Sequence, residues 1–276
     1  MIRKITKSVA ILLVICTTLM VFSGCELFIT NDRADVDLMT VEETVDGLNF
    51  YVSFYYGRGQ KFFYEKDSGN LFWEDYNDQI TLPQIVLQGA TTAHGRVVAI
   101  EGYEALLDQV LAFSIEDVEY PVHHALAYKL GDVVYGFCNV YSTAGAFTDG
   151  LDCKGIEYAV LFTYDSDTET LTVVERLEKR IVVAFDGTGV IWYENKAYYG
   201  KAMGGTEVKI CDDEAYRSNF RSSFGRVSVY FGGGYCIIYF DCDFGYFVKG
   251  DPYKKCVLVT MSGEKLAEFE QVTIYD

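Results

Sequence analysis

Carboxylates are the most abundant reactive side chains in this chain of 276 residues, which has 40 Asp and Glu against 23 Lys and Arg. Three of them lie next to apolar runs that are typical of β-strands, at Asp186, Asp241 and Asp243. Two carboxylates that flank a glycosidic bond can serve as general acid and as nucleophile or base. These three residues are therefore the candidate catalytic acids. The structural alternative is that each Asp accepts backbone N–H bonds in a turn.

Carboxylate oxygens are also ligands for calcium, although no EF-hand loop is present. His123 and His124 are adjacent, so on a strand they would point to opposite faces, and a solvated loop is favoured over a metal site. The sequence has no C-x₂-C spacing, no G-x-S-x-G, no S-x-x-K and no P-loop. We therefore expect no metal site and no cofactor, with Ca²⁺ as the alternative. Two D-x-D pairs would hold that ion, Asp165 with Asp167 and Asp241 with Asp243.

Residues 1–24 have the features of a signal peptide. Three basic residues, Arg3, Lys4 and Lys7, precede an apolar run at residues 9–22. That run is shorter than the roughly 20 residues that a membrane-spanning helix requires. The segment therefore predicts export from the cytoplasm, and an uncleaved anchor is the alternative.

The leader ends on Phe22, Ser23, Gly24 and Cys25, which resembles the lipobox of bacterial lipoproteins. Phe22 stands where that family usually has Leu. The resemblance implies that the Cys25 thiol receives a diacylglycerol and becomes the new N-terminus after cleavage. Two embedded acyl chains hold a protein on a membrane far better than one. The resemblance therefore implies a domain anchored by lipid to the extracytoplasmic face of a bacterial membrane.

The charge balance excludes some classes of partner for this domain. Residues 1–24 carry three basic and no acidic residues, so the mature chain has 20 basic against 40 acidic residues. Such a chain is repelled by nucleic acids and by anionic lipid headgroups. We interpret residues 25–46 as an acidic tether, with Thr40 and Glu43 able to cap one helical turn, and residues 47–276 as the folded domain.

Six cysteines follow Cys25, and an even number in an exported domain permits disulfides. The predicted pairs are Cys138 with Cys153 and Cys236 with Cys256. The alternative is that most of the six are free, buried and act as small hydrophobic residues.

The folded domain is predicted to be all-β, because short runs rich in Val, Ile, Tyr and Phe alternate with turn residues. The clearest block predicts strands at residues 181–185, 190–193, 197–199 and 207–210. The first three runs are apolar throughout, and the fourth alternates. This pattern is typical of a four-stranded meander that is covered on both sides, with one outer strand in water.

The body resembles an irregular β-propeller of such meanders. Residues 62–73 and 161–172 share a pattern of aromatic strand, polar turn and second strand, and their tyrosines lie 100 positions apart. This spacing predicts two units of about 50 residues, and hence about five blades in all. A β-sandwich or barrel is the alternative. Helical spacing of apolar residues at 103–111 predicts one short amphipathic helix inserted between blades or at a rim.

The sequence thus favours a non-catalytic module that binds a protein or a glycan of the envelope, or acts there as a scaffold. The alternatives are a glycan-active hydrolase with paired carboxylates in a propeller funnel, and a purely structural lipoprotein. Aromatic residues such as Tyr51 could form a sugar- or protein-binding surface, although most tyrosines are expected in the core. A hydrolase should show two carboxylates about 5–10 Å apart in one funnel.

Overall fold

The computed structural model describes residues 34–53, 59–76, 81–89, 97–113, 115, 118, 122–142, 155–213, 225–242 and 253–272. These ranges contain eighteen strands and one helix. The strands are β1 (Ala34–Glu43), β2 (Gly47–Ser53), β3 (Gly59–Glu65), β4 (Leu71–Tyr76), β5 (Gln84–Gly89), β6 (Val97–Ala99), β7 (Val122–Leu130), β8 (Val133–Tyr141), β9 (Ile156–Asp165), β10 (Thr170–Glu178), β11 (Ile181–Phe185), β12 (Gly189–Glu194), β13 (Ala197–Ala202), β14 (Val208–Asp212), β15 (Gly225–Gly232), β16 (Tyr235–Cys242), β17 (Tyr253–Thr260) and β18 (Lys265–Val272). The helix α1 (Glu104–Leu111) lies between β6 and β7. Within these ranges no helix is long and apolar enough to cross a membrane.

Sixteen of the strands form four antiparallel meanders of four strands each. We call β1–β4 the first meander, β7–β10 the second, β11–β14 the third and β15–β18 the fourth. The hairpin β5–β6 adds to the edge of the second meander through β7. The predicted all-β class, built from four-stranded meanders with one short helix, is confirmed.

The first and fourth meanders belong to one eight-stranded sheet, because β1 and β15 pair in parallel. Their outer strands β4 and β18 are also in contact. This sheet therefore folds back on itself, and the two meanders pack face to face over a core that includes Phe50, Phe62 and Tyr239.

The third meander lies between the second and the fourth. One large core joins side chains of β7–β9, β11–β13 and β15–β17, among them Phe137, Trp192 and Phe240. The far face of the second meander is covered by α1, whose Leu106 and Val110 are fully buried. The layers therefore follow the order α1, second, third, fourth and first meander, which is a propeller-like arrangement of blades.

A buried side chain connects the second meander to the third. Asn139 of β8 accepts a hydrogen bond from Val182 N at 2.8 Å and donates to Val182 O at 2.9 Å. Tyr128 of β7 donates to Phe185 O at 3.1 Å. Both contacts satisfy backbone groups on the free edge of β11, which would otherwise be buried without partners.

The third meander agrees with its predicted pattern. Every residue of β11 is buried, whereas β14 is mostly exposed or half-buried. The turn after β11 contains Gly187 with φ +84°, a conformation that glycine adopts without strain. The predicted boundaries of these four strands differ from the observed ones by at most three residues.

Two predictions of organisation are wrong. Residues 34–43 are not part of a tether, because they form β1, which pairs with β2 and β15 and buries Leu38 and Met39. Thr40 and Glu43 lie within this strand and therefore cap no helix. The described residues also form four meanders and not about five, since β5, β6 and α1 take up much of the chain between the first and second meanders.

Candidate functional site

Asp186 follows β11, is 6% exposed and holds the turn to β12. Its Oδ1 accepts hydrogen bonds from Thr188 N at 2.9 Å, Thr188 Oγ1 at 2.7 Å and Gly189 N at 3.1 Å. Burial, and then the negative charge of Asp186, raise the pKa of the Tyr128 hydroxyl. One oxygen of this carboxylate is therefore fully engaged in forming the turn, which is the structural alternative considered above.

The other two candidate acids do not join Asp186 in a described site. Asp241 lies in β16, paired with Arg226 and Lys254 on the neighbouring strands, and its side chain lies outside the described residues. Asp243 also lies outside the described residues. Cys25, the predicted lipidation residue, also lies outside the described residues.

Asp165, proposed above as a calcium ligand, forms a second turn of the same kind. Its Oδ1 accepts hydrogen bonds from Asp167 N at 2.8 Å and Thr168 N at 3.1 Å. The hydrogen bonds from the Thr168 and Asp167 backbones hold the pKa of this carboxyl below its usual range. Among the described residues, no group of three or more His, Cys, Asp or Glu side chains is placed to hold a metal ion.

The predicted disulfide between Cys236 and Cys256 is wrong. Both thiols are free and buried. Cys236 pairs with Val259, three residues from Cys256, so the two side chains lie on opposite faces of the fourth meander. Cys138 is also a free, buried thiol, and Cys153 lies outside the described residues. Burial raises the pKa of Cys138 to about 12, so this thiol is unreactive in the folded protein.

The prediction of a solvated loop at the two histidines is wrong, because both lie in β7. A β-bulge between His123 and Leu126 places His124 at φ +47°. His124 is half-buried and lines a cavity with Val36, Gln88 and Phe137. The cavity has a volume of about 30 Å³, which suits one or two water molecules and not a sugar ring.

The outer face of the first meander carries aromatic and charged side chains close together. The opposite face of this meander packs on the fourth meander. The outer face is partly covered, since Asn49 on it is 9% exposed and Thr40 Oγ1 donates to Thr81 O at 2.6 Å. Cross-strand pairing arranges its residues in rows, two of which run through all four strands. We call this surface the open face, and these two rows are Thr40, Tyr51, Lys61 and Glu74, and Glu42, Asn49, Phe63 and Phe72.

Aromatic rings lie beside charged groups on the open face. The rings of Phe63 and Phe72 are stacked, with centroids 6.3 Å apart and planes inclined by 21°. Phe72 is 49% exposed. Lys61 Nζ lies 2.9 Å from Glu74 Oε1, and the Tyr51 hydroxyl donates to Glu42 Oε2 at 2.8 Å. The face therefore offers an apolar patch beside fixed donors and acceptors.

Sequence reasoning named Tyr51 as an aromatic candidate but missed Phe63 and Phe72 as a pair. Both residues lie in the fragment 62–73 that was recognised as a repeated hairpin. The available signal was alternation, since Phe62 points into the core and Phe63 away from it. Of the tyrosines expected in the core, Tyr198, Tyr230 and Tyr239 are buried.

No protein-family model matches the chain, and no curated protein matches it. Among solved structures, it is similar to the crystal structure of an oligogalacturonate lyase from Vibrio parahaemolyticus. The two share 11% identity and a TM-score of 0.32, over 88% of this chain and 74% of the lyase chain. A TM-score of this size carries no argument about the activity of this protein.

Proposed function

We propose that this protein is a lipid-anchored, extracytoplasmic module that binds a protein or a glycan of the cell envelope without catalysing a reaction on it. The open face carries this proposal. It presents the exposed ring of Phe72 beside charged groups on a strand surface, which is how a binding module differs from an enzyme with a deep funnel.

The role of Asp186 supports binding over hydrolysis. A glycosidase acid must exchange protons with its substrate. Asp186 is buried, and its Oδ1 already accepts three hydrogen bonds from its own turn. Freeing this oxygen for a substrate would break the turn between β11 and β12.

The position of β1 supports an anchored domain. β1 begins at Ala34, nine residues after Cys25. Nine extended residues span at most about 30 Å. A lipid on Cys25 therefore keeps the first meander, and with it the open face, close to the membrane surface, where envelope ligands are concentrated.

The anchor is tested by replacing Cys25 with Ala in the full chain, with Cys16→Ala as the matched control in the same leader. We expect Cys25→Ala to abolish fatty-acid labelling and to release the protein from the membrane fraction. Cys16→Ala should leave both unchanged. Membrane attachment of Cys25→Ala without label would show that the leader is a membrane helix instead.

The binding role is tested by placing the photo-crosslinking residue p-benzoylphenylalanine at position 72 or at position 130 in intact cells. Phe72 is 49% exposed on the open face, and Leu130 is 50% exposed on β7 of the second meander. We expect cross-linked envelope material from position 72 and none from position 130. Equal yields from the two positions, or none from position 72, would contradict a binding role for this face.

A further inference from the structure

We propose that the lipid anchor holds the molecule end-on, with the end at which β1 begins facing the membrane and the opposite end facing away from it. This inference rests on the proposed function, because it requires the lipid on Cys25. Three features of the described residues support it: the position of the hairpin turns, the sign of the charge at each end, and the length of chain before β1.

Eight hairpin turns, two from each meander, lie at one end of the molecule, which we call the turn end. In a four-stranded antiparallel meander, the turn between the first two strands and the turn between the last two lie at the same end. The structure describes these turns in full, at residues 44–46, 66–70, 131–132, 166–169, 186–188, 203–207, 233–234 and 261–264.

Contacts between the meanders bring these turns to a common end. β1 and β15 run parallel, so the first and fourth meanders point in the same direction. Gly200 of the third meander lies against Gly263, which is in a turn of the fourth. Gly187 of the third meander lies against the ring of Tyr135, in the hairpin that turns at residues 131–132. The start of β1 therefore lies at the opposite end, which we call the anchor end.

The turn end is acidic. Its eight turns contain one basic residue, Lys66, which Glu43 holds at 2.7 Å. Arg180 offsets one acidic residue, Glu207, at 2.6 Å. The turns contain eight acidic residues in all, which are Asp46, Asp67, Asp132, Asp167, Glu169, Asp186, Glu207 and Glu264. Anionic lipid headgroups therefore repel the turn end.

The described connections at the anchor end have the opposite sign. Two of them are described in full, residues 179–180 between β10 and β11 and residues 195–196 between β12 and β13. Ion pairs with Glu157 and Glu194 offset part of their charge. They contain no acidic residue and three basic residues, which are Lys179, Arg180 and Lys196. Headgroup charge therefore favours the anchor end over the turn end at a membrane surface.

The chain before β1 keeps the anchor end near the lipid. Ala34 lies nine residues after Cys25, and nine extended residues span at most about 30 Å. The ten residues of β1, at about 3.3 Å each, place the turn end about 30 Å beyond Ala34. The turn end reaches the headgroups only if the molecule lies on its side or inverts. Its acidic turns are then repelled, because headgroup charge acts within about 10 Å of the surface.

The experiment measures energy transfer from a fluorescent donor on the lipidated protein to an acceptor dye on lipid headgroups, in vesicles of phosphatidylglycerol and phosphatidylcholine. The donor is coupled to p-azidophenylalanine at position 178 or at position 167. Both residues are acidic and exposed in the β9–β10 hairpin, Glu178 at the anchor end and Asp167 at the turn end. The two positions are about 25–30 Å apart. We expect transfer from position 178 to be about twofold or more greater than from position 167.

Two further measurements sharpen this test. Positions 195 and 206 are exposed at the anchor end and the turn end of the third meander, and transfer should be greater from position 195. On vesicles of phosphatidylcholine alone, the difference within each pair should shrink, because no net headgroup charge repels the turn end. Thermal unfolding confirms that each labelled variant is folded.

Each other outcome overturns a stated claim. Equal transfer within both pairs, or greater transfer from the turn end, would overturn the orientation. A difference that is unchanged on phosphatidylcholine alone would overturn charge as its cause. The control Cys25→Ala should neither sediment with the vesicles nor show transfer. Failure of the unmodified protein to sediment would contradict the proposed anchoring itself, whereas equal transfer from a protein that does sediment would contradict only the orientation.

Discussion

The third and first meanders have the same topology but different surroundings. The third has a meander against each face, and Trp192 within it is fully buried. The first has a meander against one face, and Phe72 on the other is 49% exposed. An aromatic residue in a strand is therefore core or surface according to what packs on that face. The third meander stabilises the stack of sheets, and the first has a face on which Phe72 meets solvent.

The largest expected effect is the difference in stability loss between two aromatic truncations, one in the third meander and one in the first. Trp192 stacks on Tyr199 at 6.0 Å and lies beneath Arg180 at 4.8 Å. Trp192→Ala should lower the free energy of unfolding by about 3–5 kcal/mol, because it leaves a buried cavity. Phe72→Ala should lower it by less than about 1 kcal/mol. Urea unfolding of both variants measures this difference, and equal losses would mean that the first meander has no open face.

The second prediction concerns the side chain that connects β8 to β11. Asn139→Ala leaves Val182 N and Val182 O buried without their partner. We expect a loss of about 2–3 kcal/mol in the free energy of unfolding. Asn70→Ala, at an exposed turn of the first meander, is the matched control and should change it by less than about 0.5 kcal/mol. A small effect at Asn139 would contradict its role as a link between meanders.

The third prediction compares a buried aspartate turn with an exposed one. Asp186→Ala should lower the free energy of unfolding by about 2 kcal/mol, because the buried Gly189 N–H loses its acceptor. Asp165→Ala should lower the free energy of unfolding by only about 0.5–1 kcal/mol. At this exposed turn, water can replace the carboxylate as the hydrogen-bond acceptor. Asp186→Asn keeps one carbonyl acceptor and should lie between the unmodified protein and Asp186→Ala. Thermal unfolding measures all three variants. Loss of a glycan-cleaving activity in Asp186→Asn without loss of stability would instead make Asp186 catalytic.

The smallest effect is expected at Glu268 in β18, the outer strand of the fourth meander. This strand contacts β4 of the first meander. Burial raises the pKa of Glu268, but hydrogen bonds and charges from Lys255 and Lys265 outweigh it and hold the pKa below its usual range. Its ionised form therefore stabilises the fold above the usual carboxyl pKa of about 4.3, and this contribution is lost as the pH falls through the lower folded-state pKa.

Glu268→Gln should consequently reduce the free energy of unfolding by about 0.5–1 kcal/mol near pH 7. The difference from the unmodified protein should shrink as the pH falls through the lowered folded-state pKa of Glu268. Urea unfolding at a series of pH values from 7 downward tests this. A difference that persists unchanged at the lowest pH of the series would show that Glu268 acts through packing and not through its charge.

The strands of the third meander could be predicted because their signal is local. The run at residues 181–185 is apolar throughout, which only a strand covered on both faces requires. The helix α1 was predictable for the same reason, since Leu106 and Val110 recur at helical spacing and both are buried.

Residues 34–43 were misassigned because their evidence is not local. Acidic and apolar residues alternate at Asp35, Val36, Asp37 and Leu38, and the acidic count dominated the interpretation. The partner that makes this segment a strand is β15, almost two hundred positions away. No pattern within residues 34–43 identifies that partner.

The number of meanders was overestimated because an insertion was counted as a repeat. Tyr64 and Tyr164 occupy equivalent third strands in the first and second meanders, so the similarity of the two hairpins was correctly recognised. Their separation of 100 positions covers one meander and not two. The remaining residues include β5, β6 and α1, which extend and cover the second meander.

Composition and the alternation of side chains were sufficient to determine an acidic, β-rich domain and the two faces of most of its strands. A period of two residues decides which side chains share a face, but it does not decide what lies against that face. The tertiary structure alone placed meanders on both sides of Trp192 and left Phe72 exposed. The physical reason is that burial depends on contacts between segments far apart in the chain, whereas the alternation of polar and apolar residues is a property of each segment by itself.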